Sequence, residues 1–238
     1  MAFPAIQTAD TKNGVVTSNT NAWTLTYPTN LAAGDLILAF MAVDGTPGAS
    51  GTTWPSGFVQ ANGDGLAFAA TLMCRGKISD GTETGNFTVT LFGGANEQGA
   101  WRVFRITGWF GSGLSDVTGW ASNGASTQTD TPDPPDLNPA NWDVEDTLWF
   151  AACAVDTSRT ISVYPLANNQ TADVSGGANG ATLGICTLDD AVASKNPGTF
   201  TISNSDDARS LTLAVRPAAA TVYQPRHGFT NYQNPGVF

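Results

Sequence analysis

The chain has 238 residues, of which 41% are hydrophobic and only 13% charged, and its formal net charge is −10. That length suits one large β-sandwich or two small domains, the apolar content excludes an intrinsically disordered chain, and the negative charge repels phosphate backbones, so nucleic acid is not an expected partner. The basic residues are scattered from Lys12 to Arg226 without forming a patch, and the 26 glycines and 13 prolines predict many turns between short strands.

The opening MAFPAIQTAD lacks a basic segment followed by an apolar run, so no secretion signal is expected there. Trp23 to Tyr27 alternates apolar and polar residues, as a half-buried strand does. Leu36 to Val43 is the longest apolar run; it is too short to span a membrane and predicts a strand covered on both faces or at a sandwich centre. The protein is therefore expected to be soluble, made in a cytoplasm, with no membrane partner. Leu66 to Cys74 reads as a similar strand, Phe87 to Leu91 alternates again, and Trp101 to Ile106 predicts a strand with Arg102 and Arg105 at its edges or ends. Clusters of Gly, Asn, Asp and Pro separate these runs, as turn chemistry requires.

The second half repeats this order. GDLILAFMAVD (Gly34 to Asp44) aligns with DTLWFAACAVD (Asp146 to Asp156), Leu36 matching Leu148 at an offset of 112. Trp54 to Phe58 has a weaker counterpart in Tyr164 to Asn168. Ala70-Thr71-Leu72 matches Ala181-Thr182-Leu183, Cys74 matches Cys186, Gly85 to Thr90 matches Gly198 to Ser203, and Val103 to Arg105 matches Ala214 to Arg216. Elements in one order at a nearly constant offset read as an internal duplication. Two arrangements fit: one sandwich shared by the halves, as in a jelly roll, or two tandem small sandwiches. The first is preferred, which makes residues 1–217 a single all-β, jelly-roll-like domain with halves at about 20–110 and 125–217. The connection from Gly111 to Glu145 holds its own strand-like piece, Asp116 to Ala121, and the proline-rich stretch from Thr131 to Asp136 must be an extended surface segment or edge.

Residues 218–238 end in YQPRHGFTNYQNPGVF, rich in aromatic, Pro, Gly and Asn residues and without a strand or helix period. Such a segment cannot build a core, so it is read as a docking tail that orders against its own domain or a neighbouring chain.

The residues offer little catalytic chemistry. The single histidine, His227, lies in that tail, so neither a Ser-His-Asp nor a Cys-His arrangement is expected, nor a zinc site. Cys74, Cys153 and Cys186 sit inside apolar runs and read as buried, inert thiols. Asp44 and Asp156 follow equivalent strands; turn initiation explains them most simply, and a calcium site there or around Asn62-Gly63-Asp64-Gly65 is the sharper alternative. The chain has no phosphate loop. Of seven tryptophans, Trp101 and Trp149 are expected in the core, whereas Trp54, Trp109, Trp120 and Trp142 lie near turns and are candidates for an exposed aromatic surface, suited to stacking on sugars or to a protein interface. The expectation is a non-enzyme without catalytic residues, cofactor or metal.

The succession GDLILAFMAVDG, TWPSGF, SDGTE, WRVFRITGW, then DPPDLNP, DTLWFAACAVD, NPGTFTI and SLTLAVRP resembles a group of all-β proteins encoded among the virion genes of tailed bacteriophages, over roughly residues 20 to 217. The resemblance implies a virion component: a capsid decoration (cement) protein on the head surface that binds the major capsid protein, or a host-recognition or carbohydrate-binding fibre or tail protein. Decoration proteins self-associate as trimers or dimers. The resemblance carries over no functional residues. From the tail composition, the expected capsid contacts are Tyr223, Pro225, Arg226, His227, Phe229, Tyr232, Pro235 and Phe238.

Overall fold

The computed structural model describes residues 2–45, 51–60, 65–66, 70–111, 113–114, 120–124, 128–176 and 180–219, with the backbone alone at 65–66 and 120–124. Sixteen strands follow one another along these residues. The first nine are β1 (Ala5–Ile6), β2 (Lys12–Thr20), β3 (Ala22–Thr26), β4 (Leu36–Asp44), β5 (Val59–Gln60), β6 (Gly65–Leu66), β7 (Ala70–Ile78), β8 (Asn86–Thr90) and β9 (Glu97–Thr107). The other seven are β10 (Trp120–Gly124), β11 (Asp146–Asp156), β12 (Ile161–Val163), β13 (Asn168–Val174), β14 (Ala181–Ala191), β15 (Thr201–Ile202) and β16 (Ala208–Val215). The protein is an all-β sandwich.

Its layers follow from the period of two along the central strands. In β4 the even positions Leu36, Leu38, Phe40 and Ala42 join one apolar cluster, and the odd positions Ile37, Ala39, Met41 and Val43 join another. In β11, Leu148, Phe150, Ala152 and Ala154 share the first cluster with β4, while Trp149, Ala151, Cys153 and Val155 belong to a third. The two runs read as continuous apolar sequence because both faces of each strand are covered. The shared cluster lies between a sheet of order β1-β9-β4-β7-β5, here sheet I, and a sheet of order β10-β16-β11-β14-β13, sheet II. In sheet I, β2 continues the β1 edge along β9 and β6 continues the β5 edge along β7. A ribbon of β3 and β8 covers the outer face of sheet I, and a ribbon of β12 and β15 covers that of sheet II. Four layers result, with three cores between them. Phe40, Phe104 and Phe150 meet in the middle core, ring centroids 5.6–5.8 Å apart.

A jelly roll interleaves strands of both halves within each sheet. Here every described strand of sheet I lies before residue 108 and every described strand of sheet II after residue 119. The jelly-roll arrangement therefore gives way to two half-sandwiches packed back to back. Read from edge to edge, the two sheets have the same order, and Leu36 and Leu148 hold equivalent places in β4 and β11. The pairings also shift some of the sequence matches. Ala70-Thr71-Leu72 and Ala181-Thr182-Leu183 do occupy equivalent register. Cys74, however, lies opposite Phe40, and the residue opposite Ala152 is Ile185. Cys74 and Cys186 are thus one residue out of register and face different cores. Phe104 lies opposite Leu38, and Leu213 lies opposite Phe150, so the last strands match two residues earlier than the arginines suggested.

Residues 5–20 form the outer edge of sheet I, although nothing in their mixed polar sequence marks a strand. The proline-rich segment is extended, as expected, and acts as a third member of the outer ribbon. Phe200 N donates to Pro132 O and Ile202 N to Asp130 O, both at 2.9 Å. Proline offers carbonyls without a donor, and the hydroxyls of Ser210 and Thr212 on β16 supply one to Asp133 O (2.7 Å) and to Pro135 O (2.6 Å).

Candidate functional site

Three places bear on function: the root of the C-terminal segment, the seam between the sheets, and the end of the sandwich where β4 and β11 finish.

All eight predicted contact residues, Tyr223, Pro225, Arg226, His227, Phe229, Tyr232, Pro235 and Phe238, lie outside the described residues. The segment that leads into them is pinned. Phe110 N donates to Arg216 O (3.0 Å), Trp109 bridges Pro217, and Ala218 N donates to Gly108 O (2.8 Å). Arg216 is held on three sides: its Nε donates to Glu145 Oε2 (2.6 Å) and its Nη2 to Glu145 Oε1, while the guanidinium lies 4.8 Å from the Phe110 ring centroid and 5.6 Å from that of Trp142. A planar guanidinium suits this fork-and-stack geometry. Arg105 plays the matching part in sheet I, with Nε on Asp35 Oδ2 (2.6 Å) and Nη1 on Asp10 Oδ2 (2.8 Å). Asp10 also accepts from Thr29 Oγ1 (2.7 Å) and Asn30 Nδ2 (2.8 Å), and these bonds, with Arg105, hold its carboxyl below the usual range.

Arg102 and Arg105 both lie within β9 rather than at its ends. Arg102 faces the seam. It grips Asp173 of β13 through Nε and Nη2, each at 2.8 Å, and Asn13 Nδ2 of β2 adds a third bond to the same carboxylate (2.8 Å). Asp173 is buried. This clamp is a bidentate ion pair joining sheet I to sheet II across the edge of the middle core. Beside it lies a cavity of about 140 Å³ lined by Ile6, Thr8, Phe104 and Thr171 among others; a second, of about 270 Å³, lies between Asp136–Asn138 and Ser194–Asn196. Both are smaller than the pockets that enclose drug-sized ligands.

At the third place, Asp44 and Asp156 are the last residues of β4 and β11, and both continue the even positions that face between the sheets. The sandwich brings the two together, side chain to side chain, at the end of the middle core. Burial, the bond to Asp44 and the charges of Asp44, Asp206 and Asp207 push the Asp156 carboxyl up to about 7. Burial and Asp44 also raise Glu97. The turn after β11 is organised by Asp206 instead, which accepts from Thr157 Oγ1 (2.7 Å) and Arg159 Nε (2.8 Å). Thr157 sits at φ +65°, a conformation that costs a β-branched residue. Among the described residues no group of three or more His, Cys, Asp or Glu side chains is placed to hold a metal ion, and Asn62-Gly63-Asp64 lies outside them.

The three cysteines are buried, none of them in a disulfide, and burial pushes each thiol up. Trp101 and Trp149 are core residues as expected. Trp109, expected near the surface, is 5% exposed because its Nε1 donates to Gly34 O (2.8 Å) inside the sandwich. Trp54 and Trp142 are half-buried and each has an arginine over its ring, Arg75 at 5.9 Å and Arg216 at 5.6 Å; the side chain of Trp120 lies outside the described residues. Among the described residues no helix is long and apolar enough to cross a membrane.

Fold and geometry thus define a four-layer β-sandwich with an arginine-pinned terminal root. Comparison with family models finds no match, and neither curated proteins nor solved structures yield one.

Proposed function

We propose that the chain is a structural protein of a tailed-phage particle: a capsid decoration protein that binds the major capsid protein and stabilises the head shell. The observation that carries this reading is the pairing of a clamped sandwich with a C-terminal segment whose root, Arg216 to Ala218, is tied to Gly108, Phe110 and Glu145. A subunit that reinforces a strained shell adds contacts made only in the assembled state, which favour that state by mass action. Such a subunit needs a stiff body and a segment that reaches a neighbour. Middle core, seam clamp and stacked Arg216 supply stiffness, and the aromatic and proline residues named above, which follow the pinned root in sequence, are the proposed contacts.

The test is a chain that ends at Ala219, which keeps the Ala218–Gly108 bond. Co-sedimentation with shells lacking the protein should fall to background, while the thermal transition of the truncated protein stays within a few degrees of the full chain. Undiminished shell binding by the truncated protein would remove the tail from the contact surface. Mapping of the protein to a tail fibre, instead of the shell, would replace this reading with the host-recognition one.

A further inference from the structure

We propose that Asp44 and Asp156 form a proton-operated latch that joins the two sheets at one end of the sandwich while the pair shares a proton, and drives them apart when both carboxyls are charged. The inference stands on the fold itself and does not depend on the decoration reading.

The geometry is that of an interface. β4 and β11 are the central strands of the two sheets and face each other through Phe40 and Phe150, ring centroids 5.7 Å apart. Each ends in an aspartate that continues the inner-face positions, and the two side chains meet there. Two carboxylates in contact repel; a carboxylic acid and a carboxylate share a hydrogen bond. The groups facing the pair make the protonated form the favoured one. From β9 comes Glu97, whose carboxyl would be 2.9 Å from a Cβ built on Gly45, the residue after Asp44. From the chain between β15 and β16 come Asp206 and Asp207, and the amide of Asp156 donates to Asp207 O (2.9 Å). The turn after β11 brings Arg159, but its charge is spent on Asp206, with Nη2 at 2.7 Å and Nε at 2.8 Å. From β16 comes Arg209, paired with Ala154 two residues before Asp156; burial holds its guanidinium below the usual range. β7 and β14 contribute only the neutral Ala70, Thr71, Ala181 and Thr182 opposite the two strand ends.

The turns behind the pair are tied down on both sides. Gly45 O accepts from Thr71 Oγ1 (2.9 Å), and Thr157 O accepts from Thr182 Oγ1 (3.2 Å). These bonds hold the backbone that follows each aspartate, so the two strand ends that carry the carboxyls keep their places in the sheets. The sign follows from linkage. Asp156 keeps its proton in the folded protein to about pH 7, whereas an unfolded aspartate loses it near pH 4. The folded state binds the extra proton across that window. Stability is therefore highest below pH 4 with respect to this group, falls as pH rises through the window, and levels off above about 7.

The test is unfolding of the full chain by urea as a function of pH from 5 to 8.5, with infrared spectroscopy of the carboxyl band. In the unmodified chain the urea midpoint should fall steadily as pH rises, and a protonated-carboxyl band should vanish near pH 7. Asp156→Asn supplies a permanent donor to Asp44; it should flatten the pH dependence, remove the band and unfold later than the unmodified chain at pH 8.5. Asp44→Asn provides the same test from the other strand should Asp156→Asn fail to fold. Asp207→Asn removes one of the charges that favour the shared proton while leaving the pair intact; the band should persist but vanish at a lower pH than in the unmodified chain. The latch is overturned if either Asn variant retains the full slope, or if the unmodified chain shows no protonated-carboxyl band at pH 6.

Discussion

The two halves build the same strand order but finish it with different chemistry. In sheet I the arginine near the end of β9 is satisfied by two aspartates, Asp10 and Asp35. In sheet II the arginine after β16 has one glutamate and two aromatic rings. At the opposite end, the residue after the central strand is Gly45 at φ +80° in the first half and Thr157 at φ +65° in the second. The second half keeps a β-branched residue in the left-handed region because buried Asp206 bonds its hydroxyl, and the first has no such bond and uses glycine. Corresponding ends of the two sheets therefore share a mechanical task while the side chains that perform it, and for the arginines their register, differ.

The largest effect on this comparison should come from what the halves share. Phe150→Ala empties the middle of the common core and should cost about 3–5 kcal/mol, with both halves unfolding in one urea transition. Two separate transitions would show the half-sandwiches to be independent. Asp173→Ala leaves Arg102 at the seam without its carboxylate and should cost about 3 kcal/mol, read as an earlier midpoint with faster amide exchange along β2 and β13. Gly45→Thr puts the second half's residue into the first without an Asp206 to hold it. It should destabilise by about 2 kcal/mol, while the reciprocal Thr157→Gly, which loses a hydrogen bond and relieves strain, should change stability by less than about 1 kcal/mol. Among the destabilising changes the smallest is expected from Arg216→Lys, which keeps the charge but not the fork and stack; a loss of about 1 kcal/mol should appear in the melt of the full chain, with the Arg105 site unaffected.

Much of the fold was legible in the chain. The alternation of Trp23 to Tyr27 and the apolar runs of β4 and β11 mark strands, because a pleated strand presents alternate residues to opposite faces. The edge strands β2 and β13 were not legible. Their exposed Asn, Thr, Ser and Gln residues dilute any period, and only backbone pairing with β9 and β14 makes them strands. Trp109 was misjudged for a related reason: its neighbours in sequence are turn residues, but its indole packs on a distant part of the chain.

What the sequence determined by itself is therefore local: the all-β class, the order of the main strands and the equivalence of Asp44 and Asp156, each set by short-range periodicity and turn chemistry. Tertiary structure alone decided that the halves stay in separate sheets, that Cys74 and Cys186 face different cores, and that the two equivalent aspartates touch. Those outcomes depend on register and on which faces pack together, and a one-residue slip in register turns a side chain to the other face without altering the composition that announces the strand.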